Sequence, residues 1–290
     1  LEKFKMKIRL TCNWCDDKTL FERFQRVYCS VDNIIKDFEF TLSNNFDALV
    51  VINFSNEHLS FPKEKTLGVM MEPEWGCYFK THLEQRCHHI LYHKSSTSPQ
   101  YVYYPGLLPP HIDYNSGENI DYYINNTFTK TKKSSIITSY NSSTPSNATI
   151  YHKRVNYAKM ILQSDLDVDI YGNGWENSGI HDQRIKGTLS NKRDGLLNYD
   201  FSIAIENCVE RDYFTEKLTD CFLTDTTPVY YGCPDINRFF NGVYQLTTLD
   251  DLVDLKQILL TKPTIQRENK KLLLSKFNLY IAIAKYFNQK

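Results

Sequence analysis

Residues 199–232 read YDFSIAIENCVERDYFTEKLTDCFLTDTTPVYYG. The apolar run at 201–205 predicts a strand that delivers Glu206 and Asn207 to a turn. Tyr213, Phe214, Thr215, Glu216 and Lys217 then open a helix expected over 215–223. Residues 227–231 form a second strand closed by Gly232. A helix start carries unpaired backbone N–H groups and the positive end of the helix dipole, which together favour an anion such as a pyrophosphate. Lys217 adds a full positive charge there, and Glu216 can accept hydrogen bonds from a ribose diol. The competing reading is that Thr215 and Glu216 only begin a helix and Lys217 is solvated; these residues alone leave both open.

Strand and helix alternate on either side of this stretch. Residues 7–11 predict a strand, and Asp16 and Asp17 can cap a helix carrying Leu20, Phe21, Phe24 and Val27 on one side. FDALVVINF at 46–54 is an almost continuous apolar run, as in a parallel strand covered on both faces. TLGVMM at 66–71 is another. Downstream, 154–163 is helical, with Val155, Ala158, Ile161 and Leu162 on one stripe. Residues 168–171 are a strand ending in Gly172-Asn173-Gly174, and 264–287 predict one long helix. Between 115 and 147 the composition turns to Asn, Ser, Thr and Lys around an expected strand at 135–139, which marks a hinge between lobes. The expected fold class is α/β, with domains at 1–125 and 126–265 followed by a helix at 266–290.

Composition narrows the function classes. Of 290 residues, 41% are hydrophobic and 23% charged, the balance of a globular protein. Thirty-four basic and 34 acidic side chains give a formal net charge of +0, which argues against nucleic acid or another polyanion held by bulk charge. No apolar run reaches the roughly 20 residues of a membrane span. Cys12 and Cys15 form a lone C-x-x-C without a second pair at zinc spacing, so no metal site is expected there. Other cysteines lie in apolar segments as buried thiols do, pointing to a reducing, cytoplasmic compartment. Sequons at Asn53, Asn125, Asn141 and Asn147 are the chance product of an Asn- and Ser-rich chain. A D-x-D lies within Asp165, Asp167 and Asp169, but the aspartates alternate along a strand, and metal binding is not expected.

The ordered set I-E-N (205–207), Y-F-T-E-K (213–217) and P-V-Y-Y-G (228–232) resembles the signature of the α1,3/4-fucosyltransferase family. There a strand ending F-E-N precedes Y-x-T-E-K and then P-[VI]-Y-x-G; Ile205 replaces the usual Phe. The resemblance implies the GT-B fold: two Rossmann-like lobes whose parallel sheets face a central cleft. It also implies that Asn207, Tyr213, Glu216 and Lys217 bind the GDP part of a GDP-sugar. R-V-N-Y at 154–157 followed by V-D-I-Y-G at 168–172 is similar to a further family pair, and places Arg154 at the diphosphate, with Lys153 as the rival. Met71-Glu72-Pro73-Glu74 stands where the family carries its catalytic carboxylate; Glu72 is the expected base and Glu74 the alternative.

The implied activity is inverting transfer of L-fucose from GDP-β-L-fucose to an acceptor glycan, with an α1,3 linkage. No cofactor is required, and a divalent metal is at most stimulatory. The alternatives are a GT-B transferase using another nucleotide sugar and a non-catalytic glycan- or nucleotide-binding module.

Overall fold

The structure is a computed structural model that describes residues 5–28, 38–55, 59, 61–74, 76–106, 118, 120–140, 149–265 and 267–288. It divides into two compact units, Leu1–Pro109 with Leu272–Lys290, and Pro110–Lys271.

The first unit contains β1 (Met6–Cys12), α1 (Asp17–Tyr28), β2 (Phe38–Phe40), β3 (Ala48–Ile52), β4 (Thr66–Val69), α2 (Cys77–Arg86), β5 (His89–Tyr92) and β6 (Tyr101–Tyr103). Its strands form one parallel sheet in the order β2-β1-β3-β4-β5-β6. Asp16 starts α1 as expected: its carboxylate accepts the Thr19 N–H at 2.8 Å. Every residue of β3 is buried because the sheet is covered on both faces. Ala48, Val50 and Ile52 pack with Leu20 and Phe24 of α1, whereas Leu49 and Val51 pack with Leu83 of α2.

The second unit contains α3 (Ile120–Asn125), β7 (Lys132–Ile137), α4 (Thr149–Leu162), β8 (Val168–Tyr171), β9 (Ile185–Gly187), β10 (Tyr199–Ile205), α5 (Glu216–Leu223), β11 (Thr227–Tyr231), β12 (Tyr244–Gln245) and α6 (Val253–Leu259). All its described strands are parallel, in the order β12-β11-β10-β7-β8-β9. Phe201, Ile203 and Ile205 of β10 join Tyr157 and Ile161 of α4 in one core. Gly172 ends β8 with φ 141°, and a Cβ there would meet the Thr138 carbonyl oxygen at 2.2 Å, so only glycine lets the two strand ends come so close. The α/β class with two Rossmann-like parallel sheets is what the structure shows.

Three expectations are corrected. The polar stretch 115–147 is not wholly a connector, because α3 and β7 lie in the second unit and β7 is a central strand. Its serines are buried with partners: Ser134 Oγ donates to the Asp167 carbonyl, and Ser135 Oγ to the Gly195 carbonyl, at 2.5 and 2.6 Å. The strand expected at 135–139 is present as β7, a few residues earlier, and polar composition disguised only its central, buried place. Residues 115–117, 119 and 141–147 of that stretch lie outside the described residues. The final helix is two helices, α7 (Arg267–Ser275) and α8 (Leu279–Asn288), because Asn278 accepts the Tyr280 N–H at 2.9 Å and starts a new helix. The units also divide at 109/110 rather than 125/126, and α8 completes the core of the first unit, with Ile281 and Ala284 packed among Ile8, Leu10 and Val50. Among the described residues no helix is long and apolar enough to cross a membrane.

Candidate functional site

At the carboxyl end of β10 the chain turns at Glu206, whose side chain is fully buried. Its carboxylate accepts the Thr215 N–H at 2.8 Å and the Thr215 hydroxyl at 2.7 Å. Thr215 in turn caps α5, its Oγ1 accepting the Lys217 N–H at 3.2 Å. From β11 the Tyr230 hydroxyl donates to Glu206 Oε1 at 3.4 Å and accepts the Cys233 N–H at 3.0 Å. The three motif segments of residues 205–232 thus meet on one carboxylate. Gly232 leaves it room: a Cβ there would stand 2.4 Å from Glu206 Cγ and 2.6 Å from the Tyr230 hydroxyl.

Charge collects around this knot. Lys217 Nζ lies 3.0 Å from Glu216 Oε1 and 3.9 Å from Glu206 Oε2, and its side chain keeps 22% exposure. Burial pushes Glu206 above the ordinary carboxyl value, while the Lys217 ammonium pulls the other way. Burial also works against the Lys217 charge, but the charges of Glu216 and Glu206 outweigh it and leave Lys217 above its usual value, firmly protonated. Lys217 is therefore a fixed cation at the start of α5.

Arg154 reaches the same place from α4. Its Nη1 donates to Asn207 Oδ1 at 3.2 Å and to the Ile205 carbonyl at 3.4 Å, and its guanidinium lies 4.3 Å from the Tyr151 ring centroid. Arg154 Nε is buried without a hydrogen-bond partner, an orphan donor that a ligand oxygen would satisfy. Lys153, the rival, points elsewhere and pairs with Asp250 at 3.3 Å. Tyr213 is buried (3% exposed) just before the α5 cap. The structure thus brings Arg154, Asn207, Tyr213, Glu216 and Lys217 together at one strand end.

Lys192 belongs to this neighbourhood and sequence reading missed it. It sits in a short 3-10 turn, Lys192–Gly195, and donates to the fully buried Asp220 at 2.7 Å and to the Glu216 carbonyl at 3.3 Å. With Lys217 it lines a small cavity of about 30 Å³ against residues 202–205 of β10. A lysine 24 positions before Glu216 in a polar loop carries no local signal of this role.

In the first unit Glu72 follows the buried Met70 and Met71 at the carboxyl end of β4 and is half-buried. Asn53, buried at the end of β3 with φ 57°, accepts the Met71 N–H through Oδ1 at 2.8 Å and so fixes the segment leading into Glu72. That burial also leaves the Asn53 sequon no exposed side chain to modify. β4 ends at Val69, before Pro73; the Pro73 carbonyl accepts the Gly76 N–H at 2.9 Å, and a Cβ on Gly76 would press on Glu72 Cβ at 2.8 Å. Glu74 is exposed and paired with Lys94. Asp169 of the D-x-D is committed to Lys132 at 3.0 Å, Lys186 at 3.3 Å and the Tyr199 hydroxyl at 2.6 Å. Among the described residues no group of three or more His, Cys, Asp or Glu could hold a metal ion.

Residues 130–244 match the model of glycosyltransferase family 10 (fucosyltransferase), C-terminal part. An α-(1,3)-fucosyltransferase of Helicobacter pylori is 31% identical over 71 residues, 23% of this chain and 15% of that protein. GDP-fucose protein O-fucosyltransferase 3 of Homo sapiens is 37% identical over 79 residues, 26% of this chain and 16% of that protein. These matched stretches are a small part of the relatives' length. A crystal structure of an α1,3-fucosyltransferase with GDP-fucose is similar over 98% of this chain and 92% of its own, with TM-score 0.52 and 16% identity. The T4 phage BGT structure with UDP and Mn2+ is similar over 99% of both chains, with TM-score 0.53 and 13% identity. The fold is GT-B, as the resemblance in the motifs implied, and the likeness to BGT means that the fold alone does not choose the nucleotide.

Proposed function

We propose that this chain transfers L-fucose from GDP-β-L-fucose to a hydroxyl of an acceptor glycan, with inversion and an α1,3 linkage. The observation that carries the reading is the convergence of I-E-N, Y-F-T-E-K and P-V-Y-Y-G on Glu206, which sets Lys217 and the α5 N-terminus beside Arg154 with its unpartnered Nε. In this reading Lys217, Arg154 and the first N–H groups of α5 hold the diphosphate, Glu216 takes the ribose hydroxyls, and Asn207 and Tyr213 line the pocket. Glu72 accepts the proton of the acceptor hydroxyl. The acceptor oxygen bonds to the anomeric carbon as the bond to the β-phosphate oxygen breaks, so a β-linked donor gives an α-linked product. Two cationic side chains and a helix terminus stabilise the GDP leaving group, and no metal is required for that step.

A protein hydroxyl is the second acceptor reading, supported by the similarity to GDP-fucose protein O-fucosyltransferase 3. The test is an assay with GDP-fucose, GDP-mannose and UDP-sugars against glycan and Ser/Thr-peptide panels, with and without EDTA. Fucose transfer in EDTA is the expected result. Transfer from a UDP-sugar alone overturns the donor assignment, and GDP binding without turnover on any acceptor favours a binding module.

A further inference from the structure

The C-x-x-C at the end of β1 takes no part in the donor site, and its geometry gives it a chemistry of its own. Cys12 Sγ and Cys15 Sγ lie 3.5 Å apart, and the Cys12 thiol is also directed at the Cys15 carbonyl oxygen at 3.6 Å. A covalent S–S bond is about 2.05 Å long, so the two sulfurs need only a small further approach. The segment is framed at both ends. Cys12 is the last residue of β1, and Arg9 holds Asp17, the first residue of α1, through Nη2 at 2.9 Å and Nε at 3.2 Å. Exposure separates the two thiols: Cys12 is fully buried, whereas Cys15 is half-buried. Trp14, between them, is 39% exposed.

We propose that Cys12 and Cys15 are a reversible disulfide site that reacts with low-molecular-weight disulfides. The Cys15 thiolate attacks one sulfur of the small disulfide, forming a mixed disulfide and releasing one small thiolate. The Cys12 thiolate then attacks Cys15 Sγ, forms the internal bond and expels the second. The protein loses two protons and two electrons, and the small disulfide is reduced to two thiols. Exposure sets this order, because a reagent reaches Cys15 and not Cys12. Burial pushes Cys15 up to about 12, so the exchange is slow at neutral pH and speeds up about tenfold per pH unit. The bond would tighten the loop at the carboxyl end of β1. That end belongs to the same parallel sheet edge from which Glu72 follows β4.

The experiment treats the full chain with oxidised glutathione at mildly alkaline pH, alkylates the remaining thiols without reduction, and maps tryptic peptides by mass. Cleavage after Arg9 and Lys18 places both cysteines in one peptide, residues 10–18. The expected product is that peptide unalkylated and lighter by two hydrogens, restored by dithiothreitol, with a change in Trp14 fluorescence. Cys12→Ser should stop at a glutathione adduct on Cys15. Should that variant fail to fold, Cys15→Ser at the more exposed position should leave Cys12 unmodified. Stable glutathionylation of Cys15 in the wild type, or alkylation of both cysteines after the same treatment, overturns the proposal. No donor or acceptor enters the measurement, so its failure is separate from any failure of the transferase reading.

Discussion

The two units share a parallel six-stranded architecture and differ in what they place at the carboxyl ends of their strands. In the second unit a fully buried carboxylate, Glu206, gathers Thr215, Tyr230 and Lys217, and every partner occupies a set place in the sequence. In the first unit Glu72 stands on a short turn after β4, where the Met71 N–H donates to Asn53 and Glu74 pairs with Lys94. A buried polar knot tolerates few exchanges, since each lost partner strands a desolvated group. A carboxylate on a turn needs only its position. This contrast explains why the donor side has a long readable motif and the proposed base a short one.

The largest expected effect tests the weaker-signalled half. Glu72→Gln keeps size and shape and removes the proton acceptor, so turnover with GDP-fucose should fall about 10²–10⁴-fold. Donor affinity should hold, because every residue assigned to the donor lies in the second unit. Single-turnover and equilibrium titrations separate the two quantities. Full activity in Glu72→Gln beside an inactive Glu74→Gln would move the role to Glu74.

Next comes Lys217→Met, which removes the fixed cation while keeping much of the apolar stem. GDP affinity should weaken about 10–100-fold, as expected for one charge-assisted contact. Calorimetry reads this directly, and unchanged affinity would show that the knot is only structural.

Gly232→Ala probes the knot without touching a charge. The added methyl must displace Glu206 or the Tyr230 hydroxyl, costing about 1–3 kcal/mol of stability. GDP affinity should fall with it as the α5 cap moves. A variant as stable as the parent, with normal affinity, would break the link between P-V-Y-Y-G and Y-F-T-E-K.

The smallest effect belongs to a polar group of the second unit that serves no ligand. Lys130 donates to the Leu197 and Thr224 carbonyls and to Thr226 Oγ1 at 2.8, 2.6 and 3.0 Å. Burial brings its pKa down to about 8, with Asp225 opposing. Since the folded value is depressed, the unfolded chain keeps this proton to higher pH. The contribution of Lys130 to stability therefore rises between pH about 8 and its ordinary value of 10.5. Lys130→Met should remove that rise, on the order of 1–2 kcal/mol, as read from urea midpoints against pH. GDP affinity should not change.

Periodicity and the motif segments were enough to read the α/β class, the strand–helix–strand unit around Glu206 and the residues gathered beside it. The sequence was less legible where polarity and position part company. Ser134 and Ser135 lie in a stretch whose polarity marks a hinge, yet the strand expected within it is central, and Asp167, Gly195 and Ser202 accept or share their hydrogen bonds. Lys192 reaches Asp220 only through the fold. The apolar spacing from Leu273 to Ile281 continues across the break at Asn278, so the pattern hides the end of one helix and the start of the next. β5 and β6 are three or four residues long, too short to leave a period of their own.

The central claim is that the knot around Glu206 builds a GDP-sugar site, and a paired calorimetric titration with GDP and UDP tests it most directly. The account predicts that GDP binds at least about tenfold more tightly than UDP, a difference of about 1.4 kcal/mol, and that Lys217→Met removes most of the GDP affinity. Equal binding of the two nucleotides, or tighter binding of UDP, would contradict it.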